Sequence, residues 1–436
     1  MATPSLAMIP SGYKDGTLYN VLPNNATGDF DVTRGSLATR VNKDGLIEPV
    51  GTLGADVVLN GDFEELGADQ VLNGDFSQES AELIVNGDFA TDSDWVRGPG
   101  WTISGGSANT DGVSGADIKQ DNVTVVGKSY KYSFTISNSG VGVIEGRFRN
   151  QSGGFIVNFS AEGTYEGYFT ADDTFANFVN LSGNTTSYSI DNVSVVEVGQ
   201  NWTLTGLVSV GNGVASFVDN GTNLNSSVIQ SNAVVADTNY KVSFDVSRYV
   251  LGGVQIRVGG ADAVSDHLSQ GVGTYTFYVK SGNTTNFEIK RWGAYPNFDF
   301  DITNITVEEV GQEWTLTDGC SITAQGARIT SDGTIQSIQQ VGALVVGDTY
   351  EVEYEITEYV SGVLTLADSF GSGFLLKTTL GVHKFYGVAT HVNLRVKRNG
   401  GVTDVTIDNI KVKRLNGDDT PRIDYTDGGC PVLLTE

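Results

Sequence analysis

The chain has 436 residues, with 52 acidic side chains against 26 basic ones and a formal net charge of −26. A surface that acidic excludes free DNA or RNA as a partner, because neutralising phosphates needs a basic face. With 55 glycines, only 8 prolines and short alternating apolar runs divided by Asn, Asp and Ser, the composition specifies an all-β chain of several domains.

Residues 1–50 stand apart, with Pro4, Pro10 and Pro23 beside Lys14, Arg34, Arg40 and Lys43. The stretch Met1 to Pro10 holds no basic region leading into a long apolar run. Neither a signal peptide nor a membrane insertion is expected, and synthesis is expected in a cytoplasm with release by another route. Next comes a short unit repeated at even spacing: Leu59-Asn60-Gly61-Asp62-Phe63, Leu72-Asn73-Gly74-Asp75-Phe76 and Val85-Asn86-Gly87-Asp88-Phe89. Only the third copy leads directly into a full domain. The other two read as a duplicated first strand, left as a linker or as edge strands within residues 51–81; the alternative is that they pair with neighbouring chains.

Three modules follow, at 82–199, 200–311 and 312–416. Tyr130-Lys131-Tyr132-Ser133-Phe134, Tyr240-Lys241-Val242-Ser243-Phe244 and Tyr350-Glu351-Val352-Glu353-Tyr354 recur at even spacing, one per module. Their alternation has the period of a half-buried strand. Gly163-Thr164-Tyr165, Gly273-Thr274-Tyr275 and Gly381-Val382-His383 recur after them. Ile190-Asp191-Asn192-Val193, Ile302-Thr303-Asn304-Ile305 and Ile407-Asp408-Asn409-Ile410 close the modules. Trp101, Trp202 and Trp314 read as corresponding core residues. Residues 417–436 share the character of residues 1–50.

Two resemblances attach to these motifs. The opening Leu83-Ile84-Val85-Asn86-Gly87-Asp88-Phe89, Trp95, Trp101 and the closing Ile190-Asp191-Asn192-Val193 resemble the carbohydrate-binding modules of the galactose-binding-like jelly-roll superfamily. This implies an all-β fold of three tandem jelly-roll β-sandwich modules. The second resemblance lies at the ends. The stretch from Asp29 to Glu48, with Thr33-Arg34-Gly35-Ser36-Leu37-Ala38-Thr39-Arg40 at its centre, resembles the N-terminal region of tailed-phage virion proteins of the head-spike, head-fibre or tail-fibre kind. In that group it soon runs into a segment like Pro421-Arg422-Ile423-Asp424-Tyr425-Thr426-Asp427-Gly428-Gly429-Cys430-Pro431. This second resemblance implies an N-terminal virion-anchoring region at 1–50 into which the modules look inserted, and residues 417–436 are expected to pack on it.

The resemblances imply particular site residues. Calcium is the expected cofactor, held between the opening and closing strands by Asp88 and Asp191, since two converging carboxylates repel without a cation. The competing reading is that Asp88 caps a turn while Asp191 is solvated. Module three offers Asp408 without an opening Asp of its own. Glycan contact falls to exposed aromatics: Trp95 in module one, and Trp292, Tyr295 and Phe298 in module two.

No catalytic constellation stands out. The histidines are His267, His383 and His391, no G-x-S-x-G is present, and His383 fills the slot of Tyr165 and Tyr275. Cys320 and Cys430 form no C-x-x-C pair, against structural zinc or a disulfide framework. The expectation is a non-enzymatic phage structural protein on the virion surface, a capsid head fibre or decoration protein that adheres to host or environmental glycans. A tail fibre or receptor-binding component, and a spacer or capsid-stabilising protein that binds no glycan, are the rival readings. Expected partners are other virion proteins, further copies of the chain in a trimer, and cell-surface glycans.

Overall fold

The computed structural model describes residues 47–150, 155–219, 225–262, 271–293 and 297–416. Nearer the ends it describes the strands Pro10–Lys14, Thr17–Asn20, Phe30–Asp31, Ala38–Val41, Ile423–Asp424 and Val432–Leu433. The chain divides into two units, Met1–Leu66 with Val310–Glu436, and Gly67–Glu309. It is all-β, and the one helix among the described residues is the single turn Ala367–Phe370.

Each module is a jelly-roll sandwich of two antiparallel sheets. In module one, one sheet runs in the order Gly163–Thr170, Ser129–Ser137, Tyr188–Val198, Ala108–Thr110, Trp101–Ile103. The other runs Val157–Phe159, Gly146–Arg149, Ala176–Asn180, Asp117–Gln120, Val96–Arg97. Alternation drives the layering: Tyr130, Tyr132, Phe134 and Ile136 of one strand all point into the core. There Phe134 stacks on Tyr165 at 5.3 Å and meets Phe178 edge-on at 4.9 Å. The tyrosines that open the recurring strands have a second use. The hydroxyls of Tyr130, Tyr240 and Tyr350 accept the backbone N–H of Val125, Val235 and Val345, fixing the loop before each strand.

Of the two forms expected of residues 51–81, a linker or edge strands, the structure shows edge strands. Thr52–Asp56 pairs with the closing strand of module three, Thr403–Asn416, and Leu66–Asp69 pairs with that of module two, Asp299–Val310. The three Asn-Gly-Asp-Phe copies thus serve three modules in reverse order, the first on module three, the second on module two, the third on module one. Modules two and three do possess opening segments; they lie far upstream in the chain, so the modules are nested in sequence rather than simply tandem.

The contacts are the same each time. Gly61, Gly74 and Gly87 carbonyls accept the N–H of Ile410, Ile305 and Val193 at 2.9, 3.0 and 2.9 Å. Trp314, Trp202 and Trp95 Nε1 donate to the carbonyls of Asn60, Asn73 and Asn86 at 3.0, 2.9 and 3.1 Å. Phe63, Phe76 and Phe89 are buried against those tryptophans at 5.2, 5.3 and 5.1 Å. A buried glutamine at the same place in each module, Gln340, Gln230 or Gln120, clamps the N–H and C=O of Leu59, Leu72 or Val85. Glycine is required in the turn because a Cβ on Gly61, Gly74 or Gly87 would sit 2.0 Å from a closing-strand carbonyl oxygen. The tryptophan matching Trp202 and Trp314 is therefore Trp95, not Trp101.

The closing motif takes its meaning from the same junction. Asn192, Asn304 and Asn409 adopt φ of 51°, 51° and 52° and mark a bulge in each closing strand. Asparagine tolerates the left-handed conformation better than other side chains, and the bulge turns the next N–H toward the opening glycine.

Candidate functional site

The carboxylates expected to hold calcium each accept a local backbone N–H. Asp88 Oδ1 accepts the N–H of Ala90 at 3.3 Å, as Asp75 and Asp62 do from Ser77 and Glu64. Asp191 accepts the N–H of Asn192 at 2.6 Å. Among the described residues no three His, Cys, Asp or Glu side chains are grouped as a metal ion would need. Asp88 and Asp191 as placed do not make a calcium donor set.

In module three the opening and closing acids do sense each other. The opening Asp that module three lacked on paper is Asp62. Asp408 is pushed up to about 6, first by burial, then by the charges of Asp62, Glu355 and Glu64; the Asn409 backbone donor opposes the shift. One Asp408 oxygen is buried without a hydrogen-bond partner.

The expected glycan aromatics scatter. Trp95 is buried between Phe89 and Phe178, and Phe298 is buried with Arg291 over its ring, so neither offers a face to a sugar. Trp95 Nε1 has its partner in the Asn86 carbonyl, a pairing the sequence did not signal. Trp292 remains half-buried, its backbone N–H donating to Gly253 O at 2.6 Å. Tyr295 lies outside the described residues. Trp292 and Phe298 therefore do not form one platform.

Sequence reasoning missed the clefts. Within Gly67–Glu309, a cleft of about 460 Å³ opens between modules one and two. Its walls include Tyr168, Asn212, Ser216 and Asp301. The Tyr168 ring lies against Gly211, where a Cβ would come within 2.7 Å of it. Asp301 is held by Arg248, whose Nε and Nη2 donate to its two oxygens at 2.7 and 2.9 Å while Nη1 lies 2.6 Å from Asp299. Aromatic, amide, hydroxyl and carboxylate groups together suit a polyhydroxylated ligand. Module three carries a second cleft, of about 310 Å³, lined by Gln339, Asp368, His391, Asn393 and Arg395. No described helix is long and apolar enough to cross a membrane.

No protein-family profile matches the chain, and no curated protein does. Solved structures give remote similarities. The tandem CBM22 domains of Xyn10C from Paenibacillus barcinonensis are 9% identical over 53% of this chain and 99% of that one, with a TM-score of 0.24. The triple jelly-roll turret protein of an archaeal virus is 12% identical over 75% and 90%, at a TM-score of 0.18. The tandem CBM51 modules of Sp3GH98 from Streptococcus pneumoniae SP3-BS71 are 9% identical over 60% and 99%, at 0.17. At such scores these likenesses are too distant to assign a role.

Proposed function

We propose that this is a non-catalytic structural protein of a tailed-phage particle, anchored by its two ends and displaying nested β-sandwich modules that adhere to glycans. The observation that supports the anchor is where those ends leave module three. Thr52 and Asn416 are register partners on adjacent strands, so residues 1–50 and 417–436 depart from one edge. Farther out, strand Ile423–Asp424 lies beside strand Ala38–Val41. A chain whose anchoring motif is split, with one half ending at Glu48 and the other starting at Pro421, needs such a closure, and module three supplies it.

The capsid surface is the proposed location, as a head fibre or decoration protein in a trimer; the tail is the competing one. Weak sites repeated on many copies give avidity without any single strong contact. The test is incorporation into particles of chains lacking 67–309 or lacking 1–50. The first deletion should leave incorporation intact and remove part of the adhesion. The second should abolish incorporation, and its persistence would overturn the anchor.

A further inference from the structure

The three modules share their scaffold, so a ligand site belongs where one copy departs from the others. Module three departs at its smaller sheet. Cross-strand pairing aligns Gln340–Leu394 with Gln230–Phe287 and Gln120–Ala176. In that register Arg395 stands where module two has Glu288 and module one has Asn177. Gln339 stands where they have Ile229 and Lys119. The turn Ala367–Phe370 brings Asp368 beside these residues, and His391 and Asn393 complete the cleft.

The hydrogen bonds within the cleft show what a ligand must bring. Among the described residues Asp368 is the one carboxylate lining it, and both its oxygens are used: Lys397 Nζ donates to Oδ1 at 2.5 Å and Arg395 Nη1 to Oδ2 at 3.0 Å. Those two cations hold the Asp368 carboxyl below its usual range, Lys397 more than Arg395, so it stays ionised. Arg395 Nε donates to Ser337 Oγ at 3.1 Å. Asn393 Oδ1 accepts the N–H of Gly342 at 3.1 Å, and His391 Nδ1 accepts the N–H of Asn393 at 3.2 Å. An accepting Nδ1 places the neutral imidazole's proton on Nε2. What is left without a partner among the described residues is donors: Arg395 Nη2, Asn393 Nδ2 and His391 Nε2–H. The Gln339 carboxamide adds one further donor–acceptor group.

A cleft with spare donors, the Arg395 cation and its carboxylate already consumed by Arg395 and by Lys397 behind it asks for an oxyanion. At about 310 Å³ it is much larger than a lone anion, given roughly 30 Å³ per water, and falls at the lower end of small-molecule sites. The Gln339 amide suits a ring hydroxyl. We infer that this cleft binds a carboxylate-bearing sugar, its carboxylate on Arg395, Asn393 and His391 and a hydroxyl on Gln339. The net charge of −26 repels long polyanions, which favours a terminal acidic sugar over the interior of an acidic polymer. This site rests on the glycan-adhesion part of the proposed function, not on the anchor.

Saturation-transfer NMR on the full chain tests it, with methyl glucuronide as probe and methyl glucoside and inorganic phosphate as controls. The expected result is glucuronide binding with Kd of about 1 mM, at least tenfold weaker glucoside and phosphate, and tenfold loss in Arg395→Gln and in His391→Ala. Because Arg395→Gln also frees Asp368, His391→Ala, on an exposed side chain, serves as the variant with unchanged melting. Equal binding of glucoside or of phosphate, glucuronide binding that survives both variants, or no transfer at all would overturn the site. Particle incorporation of His391→Ala is measured alongside: if it is normal while glucuronide fails to bind even the unaltered chain, the acidic-sugar site is wrong and the anchor stands.

Discussion

Replacing Gly61 with alanine tests the nesting through a residue that lies far upstream of module three's contiguous segment, which starts at Val310. The new Cβ would lie 2.0 Å from the carbonyl oxygen of Ile410, a backbone atom that cannot swing aside. The turn must lift off. It then loses the Ile410 N–H bond and leaves Trp314 Nε1 without Asn60, about 1 kcal/mol each. Withdrawing the buried Phe63 costs about 2–3 kcal/mol more. The sum is about 4 kcal/mol, a large share of the roughly 5–15 kcal/mol that stabilises a domain. Hydrogen exchange followed by mass spectrometry reads it per module. Core amides of 312–416 should exchange about 10³-fold faster, since each step of about 1.4 kcal/mol is tenfold, while those of 67–309 keep their rates. Unchanged protection in 312–416 would refute the docking of the first copy on module three.

Three further outcomes follow from the same geometry. Asp408 titrates higher in the folded chain, about 6 against 3.8, so its contribution is most favourable at low pH and is lost as pH rises from about 4 through 6. Asp408→Asn should therefore stabilise module three near neutral pH, by about 1–2 kcal/mol after discounting for solvent screening, and raise its Tm there, with the gap closing in mild acid; a gap that does not change with pH would contradict this. Trp95→Ala should cost module one about 3–5 kcal/mol in urea unfolding and leave glycan binding by the other modules unchanged, because Trp95 is a core residue. Since Asp88 and Asp191 each accept a neighbouring backbone N–H and no third acidic, His or Cys side chain is grouped with them among the described residues, adding calcium or a chelator should leave the melting of module one where it is; a clear upward shift with calcium would show a donor set that the turn chemistry conceals.

The periodic parts of the fold were legible from the residues. Alternation in Tyr130–Phe134, with its copies at Tyr240 and Tyr350, marked the central strands, and the closing Asn marked a fixed point at the end of each sandwich. The pairing of the opening copies was not legible, because so short a motif carries no information about which distant strand accepts it. Two hints were present: three copies for three modules, and Trp202 and Trp314 standing at module starts that lacked the motif their indoles cap. The even spacing of Gln120, Gln230 and Gln340 was a third, hidden by their ordinary identity. The glycan aromatics failed for another reason. In small sandwiches large rings are the main filling, so Trp95 and Phe298 were drawn inward, whereas the polar clefts depend on residues from separate strands that only the pairing brings together.

The central claim is that module three closes on itself across the whole chain and so brings both ends to one edge. Thr52→Cys with Asn416→Cys, in a Cys430→Ser background, tests it directly. Register partners on antiparallel strands lie within about 5.5 Å at Cα, the distance a disulfide spans. Peptide mapping without reduction should find 52 linked to 416 in the folded full-length protein. Free thiols at both positions under oxidising conditions, in protein that is otherwise folded, would contradict the nested fold and the anchor built on it.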